Sequence, residues 1–283
     1  MLIGYDTESG SVYEASVEPE KILEKSIGAI ADLHVELEVP ATFFIVGKTI
    51  EMGHRTLKKL REHPSLFDLQ QHTYSHLPLK SINPDNGSAA INNDTNVVGG
   101  SLRRIAGEVR RTSELLRRHL DADCTGIRGP WGYYLGLLDR PDIVRVLAQN
   151  GIEFTSTYLR NRHDGFPLPM SVQPFDYGKI GLPQVTEIPS QDWIDCQWRV
   201  LYGWARTRAF AHHLTGVARR ISRSGLVWGT CFHDWSVITL DPELTIMRAL
   251  LTSAKDTGVD VLSYKEYHRR HRPSRPGVTG ADD

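Results

Sequence analysis

The sequence predicts an α/β fold with parallel strands, arranged as a barrel or as a doubly wound sheet. Short apolar segments with strand character alternate with longer segments of helical periodicity along the 283 residues. This alternation is typical of parallel strands joined by helical crossovers. The length suits one large domain. No glycine-rich phosphate loop follows an apolar segment, which disfavours a nucleotide-binding form of the fold.

The predicted strands are runs of β-branched, aliphatic or aromatic residues. The run at 41–46 is apolar throughout, so we expect that strand to be covered on both faces. In chain order, the predicted strands are 2–5, 41–46, 66–71, 126–128, 152–158, 185–189, 226–232 and 259–262.

The predicted helices carry apolar residues three and four positions apart. Residues 101–120 give an amphipathic pattern with a basic face that we expect in solvent. Residues 80–100 and 160–182 are predicted to be irregular. Residues 1–270 are predicted to form one domain, and the polar segment 271–283 a flexible C-terminal tail. In chain order, the predicted helices are 19–37, 56–62, 101–120, 141–150, 209–222 and 242–257.

Composition disfavours several classes of protein. Lys plus Arg is 33 and Asp plus Glu is 34, so the charge gives no reason to expect a nucleic-acid partner. The three cysteines include no C-x-x-C pair, and a disulfide framework is not expected. No apolar run approaches the ~20 residues of a membrane span. Met1 leads directly into an apolar strand without a signal peptide, which favours a cytoplasmic location.

Two histidines four residues apart are the most informative motif. At that spacing, the rings of His72 and His76 could lie on one side of a helical turn and reach one cation. Asp6 and Glu8 end the first predicted strand, and their side chains point to one face. One of these carboxylates with the two imidazoles would make a three-ligand site with an open position. Either motif alone is also compatible with a structural role.

Two further polar residues end predicted strands. Arg128 could hold an acid in its ionised form, and His233 could donate a proton to a leaving group. Each could instead be structural. Their joint placement favours a site, because the carboxyl ends of parallel strands meet at one rim of the fold.

These residues, in this order, resemble the polysaccharide deacetylase family, the NodB-homology group of carbohydrate esterases (family 4). The resemblance extends over most of the chain, from about residue 2 to 267. Five short motifs carry it: 4–8 (GYDTE), 40–47 (PATFFIVG), 72–76 (HTYSH), 128–131 (RGPW) and 232–234 (FHD).

The resemblance implies a distorted (β/α) barrel that hydrolyses the amide of an N-acetylated sugar. It implies a divalent metal, usually zinc, with cobalt, manganese, nickel and iron(II) as alternatives. Carried over by position, the metal ligands would be Glu8, His72 and His76.

The catalytic roles follow from the same resemblance. Asp6 would be the general base, Arg128 would orient it, and His233 would be the general acid. The backbone N–H of Trp131 would help to stabilise the oxyanion. We expect substrate contacts from Tyr133, Trp193 and Trp235, since aromatic rings near the rim can stack on sugars. Asp192 is also expected to contact substrate, because Asp192-Trp193 resembles the Asp-Trp element of the family.

The chain also departs from the common family pattern. Thr7 separates Asp6 from Glu8, where two adjacent aspartates are usual, so base and ligand could exchange roles. Trp131 replaces a tyrosine, and Cys231 stands where a leucine is frequent. Two other functions fit the same residues: a deformylase or allantoinase-like cyclic-amide hydrolase, and an inactive carbohydrate-binding module.

Overall fold

A computed structural model describes residues 1–8, 18–82, 97–239 and 241–271. Nearly all of the predicted tail at 271–283, and most of the predicted loop at 80–100, lie outside these residues. The strands are β1 Gly4–Thr7, β2 Ala41–Ile45, β3 Phe67–Gln71, β4 Gly126–Tyr133, β5 Phe154–Tyr158, β6 Phe175–Tyr177, β7 Leu182–Glu187 and β8 Phe232–His233.

These strands form one sheet in the order β6-β7-β5-β4-β3-β2-β1-β8. Every pair is parallel except the β6–β7 pair. In β1, Asp6 lies opposite Phe44 on one side and His233 on the other. The predicted α/β fold with parallel strands is therefore confirmed. Within the described residues no strand ladder joins β8 to β6, so the barrel is distorted and not closed.

The helices of the described residues are α1 Pro19–Leu37, α2 Gly47–Leu57, α3 Leu102–Leu120, α4 Pro141–Gln149, α5 Asp195–Tyr202, α6 Thr207–Ile221, α7 Asp234–Thr239, α8 Thr245–Asp256 and α9 Tyr264–His271, with 3₁₀ turns at Lys58–Glu62 and Gly178–Ile180. The first four, α1 to α4, are crossovers between neighbouring parallel strands, and the others follow β7.

Apolar faces of these helices bury the sheet. The larger core cluster joins β1, β2 and β3 to α1, α6 and α8, and a second cluster lies beneath α3 and α4. In α3, Ile105, Val109 and Leu116 are buried, as the amphipathic pattern predicted. None of the helices in the described part of the chain is long and apolar enough to cross a membrane.

Several predicted elements differ from the observed ones. The predicted helix at 56–62 is the end of α2 followed by a 3₁₀ turn, and α2 departs from helical backbone angles at Gly53. Helices α5, α7 and α9 were not predicted, since eight residues or fewer are too short to show a clear helical period. The irregular segment 160–182 contains β6.

Two predicted strands are much shorter than expected. Of the run at 226–232, only Phe232 belongs to a strand, which continues to His233, and the run at 259–262 contributes a single bridge at Leu262. Leu2 bridges to Gly229 on one side and to Leu262 on the other. The first run makes one further pairing, between Phe232 and Tyr5, so neither run forms a long ladder.

Candidate active site

The carboxyl end of β1 delivers two buried carboxylates to one rim of the sheet. Asp6 is 3% exposed and Glu8, just beyond the strand, is 2% exposed. Glu8 is fixed from two sides: Asp234 accepts its backbone N–H at 3.1 Å, and the indole of Trp235 donates to its Oε1 at 3.1 Å. Both Asp6 and Glu8 therefore have defined positions.

The histidine pair follows β3 on an irregular turn. The expected helical turn is wrong, because Thr73 and His76 both have positive φ angles, which a right-handed helix does not tolerate. Glu108 of α3 holds the turn by accepting the backbone N–H of Ser75 at 2.7 Å and its hydroxyl at 2.8 Å. The two imidazole rings still meet, with centroids 4.9 Å apart.

The histidine pair and Glu8 converge. His76 Nε2 is 2.8 Å and His72 Nε2 is 3.7 Å from Glu8 Oε2. Each of the three residues offers one potential ligand atom, and these atoms all lie within 4.8 Å of one another. One carboxylate and two imidazoles are a donor set typical of a catalytic zinc site.

His72 has the chemical form that a metal ligand needs. Its Nδ1–H donates to the carbonyl oxygen of Arg128 at 2.9 Å, which leaves the Nε2 lone pair directed at the carboxylates. Burial lowers the pKa of His72 to about 4, so the ring is neutral near pH 7. In Glu8, burial would raise the pKa, but the imidazole of His76 and its neighbours lower it overall. These features fit a divalent cation.

Asp6 is paired with a buried guanidinium. Arg128 in β4 is fully buried, and its Nη1 donates to Asp6 Oδ1 at 2.8 Å. Burial would raise the pKa of Asp6, but Arg128 and the nearby histidines lower it. The other carboxylate oxygen lies 3.6 Å from His72 Nε2 and accepts the thiol of Cys231 at 3.4 Å. An ionised carboxylate therefore stands beside the three-ligand cluster.

His233 ends β8 and lies near Oε1 of Glu8, whereas His72 and His76 lie near Oε2. Asp195, at the start of α5, accepts the Nδ1–H of His233 at 2.6 Å and its backbone N–H at 2.9 Å. Its Nε2 lies 3.9 Å from Glu8 Oε1. Burial would lower the pKa of His233, but Cys196 and Asp195 raise it well above its ordinary value. The ring can therefore hold a proton and present it at Nε2.

A cavity of about 320 Å³ joins these groups. The structure places all of the expected metal ligands on its wall, together with Asp6, His233, Trp131 and Trp235. Trp131 has φ +74°, an unusual angle for a bulky residue and one often found at functional sites. Arg128 lies behind this wall and reaches the cavity through Asp6.

Three residues expected to bind substrate lie away from the cavity. Tyr133 is buried in the second core cluster, where its hydroxyl accepts the backbone N–H of Leu79 at 2.7 Å. Trp193 packs against Trp198 and Tyr202. The Asp192 carboxylate pairs with His213 at 2.6 Å. Of the four expected substrate contacts, the structure brings only Trp235 to the cavity.

The sequence interpretation missed other residues of the site. The sequence does not predict Asp195 as a site residue, because Asp192-Trp193, which begins three positions earlier, fits the Asp-Trp element of the family by its letters. The sequence feature that most nearly indicates a site at Asp195 is the adjacent Cys196, but the short helix that contains both residues is not predicted. Phe166, Ile194 and Trp204 also line the cavity, and they belong to segments whose conformation the apolar pattern does not specify.

Comparison with known sequences finds a similarity to one family over nearly half of the chain. Residues 24–155 match the family model for polysaccharide deacetylase. This region begins in α1 and ends in β5, and it includes His72, His76, Arg128 and Trp131. No curated protein sequence matches the chain significantly.

Solved structures share the fold at low sequence identity. A Mycobacterium smegmatis protein assigned as a polysaccharide deacetylase superposes with a TM-score of 0.65 and 16% identity, covering 98% of this chain and 94% of that one. The PuuE allantoinase gives a TM-score of 0.64 at 11% identity, covering 96% and 91%. A Bacillus anthracis pseudoenzyme of the CE4 family gives 0.52 at 13%, covering 93% and 64%. At these identities the likeness shows the fold alone.

Proposed function

We propose that this chain is a member of the polysaccharide deacetylase family, whose model it matches over residues 24–155, and a metal-dependent hydrolase that removes an N-acetyl group from an amino sugar or its oligomer. The observation that carries the proposal is the convergence of Glu8, His72 and His76 beside Asp6 and His233 in one cavity. Ligands, a base and an acid within one small volume are the requirements of hydrolysis by activated water.

Glu8, His72 and His76 would hold the cation. When bound, a divalent cation would polarise the amide carbonyl and lower the pKa of a water molecule to ~7. Zinc suits the donor set best, and cobalt, manganese, nickel and iron(II) accept similar ligands.

Asp6 would accept the proton of the attacking water. Arg128 keeps this carboxylate ionised and holds its Oδ1 at 2.8 Å, so Oδ2 is the oxygen on the side of the ligand cluster. The backbone N–H of Trp131 would donate to the oxyanion as negative charge develops on the carbonyl oxygen.

His233 would protonate the departing amine. Its Nδ1–H is fixed on Asp195, so the proton that it delivers comes from Nε2, on the side of Glu8. After proton transfer, the products are acetate and a free amine.

Two alternatives use the same residues. A deformylase or allantoinase-like hydrolase of a cyclic amide is favoured by the small cavity of about 320 Å³, near the lower end of the ~300–1,000 Å³ range of small-molecule sites. An inactive carbohydrate-binding module would keep the cavity without turnover.

The test compares metal-free and metal-loaded protein. Purified protein is stripped with a chelator, reloaded with Zn²⁺, Co²⁺, Mn²⁺ or Ni²⁺, and assayed for acetate, formate and ring opening on N-acetylglucosamine oligomers, N-formyl amines and cyclic amides. We expect acetate release that disappears on stripping and returns on reloading. Activity that survives complete metal removal contradicts the proposal, and binding without turnover for every metal favours the inactive module.

A further inference from the structure

We infer that the preferred substrate is a compact amide with an aliphatic or aromatic substituent, and that this substituent binds against Phe166, Ile194, Val200 and Trp204. The inference rests on the proposed amide hydrolysis and departs from it on the amine side of the substrate, where it ranks apolar amines above the amino sugars of the general proposal. For an N-acetylated amine of this kind, water breaks the amide C–N bond, the acetyl carbon gains the water oxygen as acetate, and the nitrogen gains a proton as the free amine.

The reacting groups lie at the bottom of a small cavity. Glu8 and His72 are 2% and 1% exposed, and the space above them measures about 320 Å³. A substrate must bring its amide to these buried atoms, so the groups on either side of the amide must themselves fit in the cavity. One small molecule satisfies this requirement more easily than an internal unit of a long polysaccharide.

One wall of the cavity belongs to an apolar cluster. Leu159, Ile194 and Cys231 form a buried hydrophobic group, and Phe166 packs against it. The cluster begins beside the proposed base, since the Cys231 thiol donates to Asp6 Oδ2 at 3.4 Å. Apolar surface therefore extends from the reacting centre outwards along this wall.

Aromatic and aliphatic residues also line the cavity outside this cluster. Trp204 lies with its ring 6.1 Å from that of Trp235, and both rings line the cavity with Val200. Val200 is 42% exposed, which places it at the mouth. An apolar substituent that enters the cavity would remove these apolar surfaces from water.

Few polar side chains are available for sugar hydroxyls. Outside the reacting centre, Arg160, Cys196 and Gln197 are the polar side chains on the described part of the wall. Arg160 already donates to the carbonyl oxygens of Trp131, Gly132 and Asp164. A buried hydroxyl without a partner costs free energy, whereas a buried methylene gains it. The cavity therefore favours an apolar substituent over a polyhydroxylated one.

The experiment compares amides that share the acetyl group. Zinc-loaded full-length protein is assayed for acetate release from N-acetylbenzylamine, N-acetylglucosamine and its tetramer. We expect kcat/KM for N-acetylbenzylamine to be at least about tenfold higher than for either sugar. Val200→Ser should lower that preference by about tenfold, chiefly through KM, because it places a hydroxyl at the apolar mouth.

Leu201→Ser is the matched control. Leu201 is the next residue of α5, is similarly exposed at 48%, and is not among the residues that line the cavity. We expect wild-type selectivity from this variant. A preference for either sugar, or equal selectivity in wild type and Val200→Ser, overturns the inference.

A binding measurement separates this inference from the proposed function. If metal-loaded protein hydrolyses no amide, the proposed function fails, and calorimetric titration with N-acetylbenzylamine and N-acetylglucosamine still tests the apolar walls. Tighter binding of the aromatic amide, weakened by Val200→Ser and not by Leu201→Ser, supports them. Equal binding of the two amides overturns the inference.

Discussion

At the residue scale, two carboxylates two positions apart have different partners. Asp6 is held by the guanidinium of Arg128 at 2.8 Å, and Glu8 by the imidazole of His76 at 2.8 Å. A guanidinium has no lone pair to donate to a cation, so it cannot be a metal ligand. A neutral imidazole has such a lone pair and can bind the same cation as the carboxylate beside it. The partners therefore favour Glu8 as ligand and Asp6 as base, the assignment that the sequence left open to exchange.

Isosteric variants distinguish these two roles. We expect Asp6→Asn to lower kcat by about 100- to 10,000-fold while the protein retains zinc, because only a proton acceptor is lost. Glu8→Gln should lose zinc as well as activity. Metal content by elemental analysis, alongside acetate release, provides the measurement. Zinc loss in Asp6→Asn with zinc retained in Glu8→Gln would mean that the roles are exchanged.

His34 shows how a buried imidazole outside the site affects stability. Its Nδ1–H donates to the carbonyl oxygen of Val39 at 2.7 Å, and its Nε2 accepts the hydroxyl of Tyr5 at 2.9 Å. Burial lowers the pKa of His34 to about 4. The unfolded chain therefore binds a proton between about pH 6.5 and 4 that the folded protein does not.

This difference predicts a loss of stability in acid. The stabilising contribution is complete above about pH 6.5 and falls by up to roughly 3 kcal/mol as pH drops towards 4. In urea unfolding at pH 7 and pH 4.5, His34→Gln should lose correspondingly less free energy of unfolding than wild type. His212→Gln removes an exposed imidazole and should keep the wild-type dependence. Equal pH dependence in wild type and His34→Gln would contradict the prediction.

At the scale of elements, α5 completes the site. This helix of eight residues supplies Asp195, Cys196, Gln197 and Val200 to the site or its cavity. Asp195 at its first turn fixes the ring of His233 through two hydrogen bonds. The helix thus determines both the orientation of the proposed acid and the shape of the mouth.

The chain contains a matched pair of Asp–His contacts for testing that role. Asp195 and Asp192 each contact a histidine at 2.6 Å, but only the His233 contact lies at the cavity. We expect Asp195→Asn to lower kcat by at least about 100-fold, with KM and zinc content within about twofold of wild type. Asp192→Asn should leave kcat within about threefold. Equal losses in the two variants would contradict a positioning role for Asp195.

At the scale of the whole molecule, Arg128 connects the sheet across its open side. Besides Asp6 in β1, its guanidinium donates to the carbonyl oxygen of Thr230 and to the hydroxyls of Ser156, Ser190 and Tyr264. Ser156 belongs to β5, Ser190 follows β7, Thr230 precedes β8, and Tyr264 is the first residue of α9. One side chain of β4 therefore links β1, β5, α9 and the segments that flank β7 and β8.

Loss of this link should destabilise the fold. We expect Arg128→Leu to lower the free energy of unfolding by about 3–5 kcal/mol, because the buried Asp6 loses its partner. Arg248→Leu breaks an exposed ion pair with Glu36 and should leave the free energy of unfolding close to that of wild type. Urea denaturation measures both changes, and a single transition in each variant would agree with one domain over residues 1–270. Similar costs for the two variants would contradict the role of Arg128.

Much of the architecture could be predicted because its signals are local. The helix Pro19–Leu37 and the strand Ala41–Ile45 follow from apolar periodicity, and a helix or strand with one buried face repeats that pattern. Four of the five motifs could be placed at strand ends for the same reason, and the fifth, at 40–47, is itself a strand. Short helices such as Asp195–Tyr202 escape such prediction, because their packing partners are distant in sequence.

The amino-acid sequence by itself determined the α/β class, the principal elements and the residue types that meet at the rim. Only the tertiary structure decided which of two nearby aspartates faces His233, and that Tyr133 and Trp193 pack away from the cavity. It also decided that the walls around the reacting groups are apolar. Periodicity follows from neighbours along the chain, whereas a cavity is formed by segments up to 230 positions apart, and only folding brings them together.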